Sequence, residues 1–298
     1  AGLRCYGVKV VRTNSSRHPW VVVKRELMAS AGSMARKNNI LALFFVLQIS
    51  CEFAFAELSK KRKLLLFFDK IEVKGAIDVF IEPGKREHEA TIFADSEIMD
   101  SISVSVRKRT LFIDANNTFD LARRLPFLKL RAERTFPVEI IIHVGEISEV
   151  ISLENSNVTL SGIRSNRLSI ISESSGRFHI ENPNTQQLEI RQDGNGIIVL
   201  KGNPLNHLDL IVNNNGSVFA QELPVNRIKV LHHGRADLEI HPLQFLDSRI
   251  YGDGNIILHQ KPDSLVIQQR GKGTVSDSLP ESGALYDLTA SNPALKKK

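Results

Sequence analysis

Cysteine is almost missing from this chain of 298 residues. Cys5 and Cys51 are the only two, and residues 57–298 have none. That stretch therefore forms no disulfide and no thiolate metal site, and its stability has to come from a large regular core. It also lacks an excess of charge. Residues 1–56 hold eight Lys/Arg against two acids, and the remainder holds 31 of each, so the formal charge of +6 belongs to the first 56 residues. A zero balance removes the main argument for nucleic acid, which needs a basic face. Long hydrophobic runs are absent too. The longest, Ile40–Ile49, is too short to span a bilayer comfortably. There is no P-loop, no G-x-S-x-G and no zinc-type His/Cys spacing. His88, His143, His179, His207, His241 and His259 are scattered and form no constellation.

The first residues read as a targeting leader. Met34-Ala-Arg-Lys-Asn-Asn39 is a positive n-region, Ile40–Ile49 an apolar h-region, and Ala54-Phe55-Ala56 an A-x-A cleavage triplet. The sequence thus predicts a signal peptide over 34–56, a flexible mature start over 57–66, and an upstream extension over 1–33 that is no part of the fold. A membrane anchor or buried helix is the alternative. A lipoprotein would use Cys51, but Gln48 stands where a lipobox wants Leu. On this reading the protein is exported to the periplasm, the outer-membrane surface or the medium. It meets a membrane only through the signal before cleavage.

From Val150 the chain falls into similar units. "LSIISESSGRFHIENPNTQQ" begins at Leu168, "LEIRQDGNGIIVLKGNPLNH" at Leu188, "LDLIVNNNGSVFAQELPVNR" at Leu208 and "IKVLHHGRADLEIHPLQFLDS" at Ile228. A period near twenty indicates a solenoid or array. Apolar residues alternate with period two, which predicts strands. A propeller blade needs about forty residues, and a leucine-rich repeat needs a denser Leu/Asn consensus. A β-helix with one unit per coil fits best. Corner turns are then expected at Gly194, Asn195, Gly196, Asn215, Gly216, Gly234, Gly252, Gly254, Gly271 and Gly273, where Gly and Asn would supply positive φ. Leu188, Leu208 and Ile228 should stack, and corner Asn side chains should ladder between coils.

Upstream, "FFDKIEVKGAIDVFIEPG" (67–84) reads as two strands around a turn at Gly75, and "HEATIFAD", "SISVSVRK", "TLFIDAN" and "FPVEIIIHV" continue as short strands. The pattern F-x-x-I-x-V-x-G-x-x-x-V-x-I of Phe68–Ile81 precedes Gly/Asn-punctuated β units and ends in "YGDGNIILHQKPDSLVIQQRGKGTVS". It resembles the putative auto-transporter adhesin head domain, the GIN domain family of bacterial envelope proteins. The resemblance runs from Phe67 to Ser276. It implies an all-β, single-stranded right-handed parallel β-helix and an exported location. It carries over no catalytic residue and no cofactor. The domain is drawn as 67–278, with a tail over 279–298.

An insertion over 116–134 interrupts the β pattern. It reads as a short amphipathic helix or a long loop, with Pro126 against one continuous helix. Its Arg123, Arg124, Lys129, Arg131 and Arg134 are candidate contacts for an anionic partner, such as envelope polysaccharide, lipid headgroups or nucleic acid, or are simply a solvated loop. Arg227-Ile-Lys229 and His232-His233-Gly234 invite comparison with polysaccharide hydrolases, but the order is reversed and the paired aspartates are missing. Asp193-Gly-Asn-Gly196 and Asp253-Gly-Asn255 lack the spaced acids of a calcium loop. The reading is a non-catalytic binding or adhesin-like β-helix for a surface glycan, matrix or envelope component. The alternatives are a β-helix enzyme acting on acidic polysaccharide, and a structural protein assembling through its coil ends.

Overall fold

A computed structural model describes residues 58–115, 118–120 and 133–278. The expected leader (1–33 and 34–56) and the tail (279–298) lie outside them. The first strands are β1 (Leu58–Leu64), β2 (Lys70–Gly75), β3 (Asp78–Glu82) and β4 (Glu89–Asp95). A short 3-10 turn at Met99–Ser101 precedes β5 (Ile102–Arg107), β6 (Thr110–Ala115), β7 (Thr118–Asp120), β8 (Glu133–Thr135) and β9 (Val138–His143). Then come β10 (Glu149–Ser152), β11 (Asn157–Ser161), β12 (Arg164–Ser172), β13 (Arg177–Glu181), β14 (Asn184–Gln192), β15 (Ile197–Lys201) and β16 (Leu205–Val212). The last are β17 (Ser217–His232), β18 (Leu238–Ile250), β19 (Ile256–Leu258), β20 (Ser264–Gln269) and β21 (Val275–Asp277).

These strands form a β-solenoid. Leu168 pairs with Leu188, Leu188 with Leu208, Leu208 with Ile228 and Ile228 with Leu246, all parallel, and each is fully buried. A second side stacks Val158, Phe178, Ile198, Val218, Leu238 and Ile256 in the same way. Parallel windings lie about 4.8 Å apart, so each inward aliphatic sits on its counterpart in the next winding. Burying one such side chain is worth about 1.5–3 kcal/mol. Alternation slips at Asn166–Arg167 in β12, where two adjacent residues are exposed and the strand passes from one side of the winding to the next. In β17 and β18 the register shifts at this bend, beside Pro224 and Pro242, residues that a regular ladder would exclude.

Chain order and stacking order differ near the N-terminus. β2 pairs with β6 on one side and β10 on the other, and β3 lies likewise between β9 and β11, all parallel. The chain lays down the winding 70–82 first, builds the one beneath it from β6 and β9, then passes back to continue above with β10. Antiparallel strands close this end: β4 pairs with β9, β1 with β4, and β5 with β6. The segment expected to be a flexible start therefore contains an edge strand, Leu58–Leu64. The insertion, expected as helix or loop, has β7 and β8 paired antiparallel at its base. Its centre lies outside the described residues.

One interior row mixes polar and apolar residues. Ser152, Ser172, Gln192, Val212 and His232 share a register position along β10, β12, β14, β16 and β17, and all are buried. The row lies just inside a corner, where carbonyls need donors. Gln192 Nε2 donates to Gly196 O at 2.9 Å, and Ser174 Oγ donates to Ser156 O at 2.9 Å.

Candidate functional site

Outward side chains on β11, β13 and β15 shape a shallow groove of about 550 Å³ on one side of the solenoid, lined by Asn157, Thr159, Ser175, Gly176, Arg177, His179 and Ile197. The register explains it. Asn157, Arg177 and Ile197 occupy one outward row and Thr159 and His179 the next. Thr159 is small and stands between Phe80 and His179, so the row dips there. The floor is tied across windings: Asn157 Nδ2 donates to Asp78 Oδ1 at 2.8 Å, and the Arg177 backbone N–H donates to Asn157 Oδ1 at 2.8 Å. His179 Nε2 stands 3.5 Å from Glu181 Oε1. Arg177 is exposed, and no carboxylate among the described residues pairs with it. Ile197 adds an apolar contact at 37% exposure. Donors, an exposed guanidinium and an apolar side chain thus meet in one open groove.

The residues singled out in the sequence lie elsewhere. Gly75 turns the chain between β2 and β3 with φ +107°, and a Cβ there would stand 2.5 Å from Ala115 O. The other corner glycines do not have the expected positive φ. They are glycines because windings approach too closely for a side chain. A Cβ on Gly194 would strike Ser174 O, on Gly196 Gly176 O, on Gly234 Asn214 O, and on Gly252 Gly234 O. Gly254, Gly271 and Gly273 meet carbonyls of the preceding winding in the same way, and Gly216 meets the Gln192 side chain. Asn195 and Asn215 are exposed at their corners. Positive φ recurs instead at Gly162, Asn182 and Gly202, stacked at a different corner, while in the Gly194 column Glu154 has it (φ 58°).

Amide ladders do run between windings. Asn226 Nδ2 donates to Asn206 Oδ1 at 3.1 Å, Asn206 Nδ2 to Gln186 Oε1 at 2.7 Å, and Asn213 Nδ2 to Asp193 Oδ1 at 2.5 Å. Asp193 also pairs with Arg191 at 2.6 Å, so its carboxylate is engaged within the sheet. Of the basic insertion, Arg123, Arg124, Lys129 and Arg131 lie outside the described residues, and Arg134 is described in backbone only, within β8.

The histidine pair divides between inside and outside. His232 is fully buried in the interior row between Val212 and Ile250, whereas Arg227, Lys229 and His233 are exposed. A substrate approaching the outer face could not reach His232, which dissolves the hydrolase-like grouping. Burial pushes the His232 pKa below the ordinary 6.5. The Ala236 backbone and Asp237 oppose that shift and His233 adds to it. Neither ring nitrogen has a hydrogen-bond partner of good geometry among the described residues. His233 stacks on Tyr251 at 4.7 Å.

The family described as putative auto-transporter adhesin, head GIN domain, matches residues 67–262. No curated protein matches the chain. Solved structures share its fold. A putative adhesin from Bacteroides fragilis has TM-score 0.62 and 18% identity, over 74% of this chain and 97% of that one. A putative adhesin from Parabacteroides merdae has TM-score 0.53 and 22% identity, over 76% and 98%. A putative lipid binding protein from Parabacteroides distasonis has TM-score 0.54 and 14% identity, over 76% and 98%.

Proposed function

The chain belongs to the head GIN domain family, and from this we propose that it is an exported, non-catalytic envelope protein that holds an extended surface glycan or matrix component along the side of its β-solenoid. The observation that carries the reading is the groove at Asn157, Thr159, Arg177, His179 and Ile197. Its polar groups repeat at the winding interval along a regular sheet, which suits a ligand that is itself a chain of repeating units. Its open form and mixed lining resemble a recognition surface more than an enclosed reaction site. The exposed Arg177 favours a glycan bearing carboxylate or sulfate groups.

The test is binding of the purified full chain to arrayed glycans and matrix proteins, followed by titration of any hit. Saturable binding to at least one extended glycan is expected, with no shortening of that glycan on prolonged incubation. Absence of binding across the array, or steady cleavage of the bound glycan, would overturn the reading.

A further inference from the structure

The N-terminal end of the solenoid carries an unusual surface. Leu64, Leu66 and Phe67 are 67%, 75% and 58% exposed, well above the next large hydrophobic among the described residues, Val266 at 39%. They follow four exposed bases, Lys60, Lys61, Arg62 and Lys63. Lys61 and Arg62 have acidic partners, Asp100 at 3.5 Å and Glu89 at 3.9 Å. Lys60 instead lies over the Phe93 ring at 5.1 Å, and Lys63 donates to Val104 O at 2.6 Å. The β5–β6 turn adds Lys108 and Arg109, both at positive φ (48° and 64°). Such two-residue turns normally take Asn-Gly. Here a strained conformation presents two bases. Arg109 pairs with Asp69 at 2.7 Å and lies 5.1 Å from the Phe67 ring centroid, which joins the turn to the apolar cluster.

Bases on an edge strand discourage pairing with other strands, and that accounts for the lysines of β1. It does not account for three large apolar side chains left in water beside them. A soluble polyanion rewards the bases only. A bilayer interface rewards both, taking apolar side chains into the acyl boundary and bases among anionic headgroups. We propose that this end docks on an anionic lipid bilayer, through Leu64, Leu66 and Phe67 with Lys60 and Lys108 around them. The site is separate from the side groove, which lies on β11, β13 and β15, so end-on docking leaves the groove open to a second ligand.

The experiment is co-sedimentation of the full chain with vesicles of phosphatidylcholine alone and of phosphatidylcholine with an equal part of phosphatidylglycerol. Two double variants accompany it, Leu64→Ser with Leu66→Ser and Lys60→Gln with Lys108→Gln, and Val266→Ser serves as control at the opposite end. All change exposed side chains, and thermal unfolding verifies the fold. Each base near an anionic surface multiplies partitioning roughly fivefold. The expected result is strong binding to anionic vesicles only, weakened by salt, lowered about tenfold or more by either double variant and unchanged by Val266→Ser. Equal binding to both vesicle types would overturn the proposal. So would binding indifferent to both double variants, which would assign it to the apolar run 40–49. Tight binding to heparin without binding to vesicles would make the end a polyanion site and overturn it as well.

Discussion

A side chain on Gly194 or Gly252 would run into a carbonyl oxygen of the winding beneath, and backbone cannot move aside as a flexible side chain can. Overpacking of this kind costs about 1–3 kcal/mol. Gly194→Ala and Gly252→Ala should each lower stability by that amount in chemical unfolding. The exposed amide ladder matters less. Asn206→Ala removes two hydrogen bonds, each worth about 0.5–1.5 kcal/mol net and here open to water. Its loss should therefore fall below that of either glycine variant. His232 gives the fold a pH dependence. Its pKa in the folded chain lies below 6.5 because burial disfavours the charged ring, so protonation favours the unfolded chain. Its destabilising effect is absent above about pH 6.5 and grows as pH falls through that value toward the folded-state pKa. His232→Gln, which places there the residue found at Gln192, should flatten the decline in unfolding free energy measured between neutral and mildly acidic pH.

Whole strands depend on the stacked interior more than on any corner. Leu208 touches both the Leu188 and Ile228 rungs and is fully buried, so Leu208→Ala should cost about 2–5 kcal/mol in urea unfolding. This interior was legible in the sequence, because period-two alternation and the recurrence at Leu168, Leu188, Leu208 and Ile228 state it directly. The strands around Gly75 were legible for the same reason. The corner glycines were expected for positive φ, which the structure gives only at Gly75 among them: a lone sequence shows a glycine but not whether φ or a neighbouring carbonyl demands it. β1 was missed because Lys60–Lys63 has no alternation, and its pairing to β4 is a contact between distant segments. The groove was missed because Asn157, Arg177 and Ile197 become neighbours only through register. Aligning the units position by position, and not by their glycines, would have put these three in one column.

For the molecule as a whole, the order of windings makes a prediction that the order of the sequence does not. Residues 70–82 come early in the chain but lie between the β6/β9 and β10/β11 windings. Their amides should exchange with solvent hydrogen as slowly as those of β14 and β16, while strands paired on one side only among the described residues, such as β1, β5, β20 and β21, exchange faster. A solenoid of this kind contacts only its neighbours from winding to winding, so its outer faces are left for recognition. The decisive measurement titrates the full chain with the best array glycan beside Arg177→Ala, His179→Ala and a control on another side, Arg227→Ala. Truncating a charged hydrogen-bonding group costs roughly 1.5–3 kcal/mol. Arg177→Ala should therefore weaken binding about tenfold or more, with His179→Ala also weaker, Arg227→Ala unchanged and unfolding unaltered in all three. Binding that ignores Arg177 and His179, or that is lost with Arg227, would contradict the assignment of the groove.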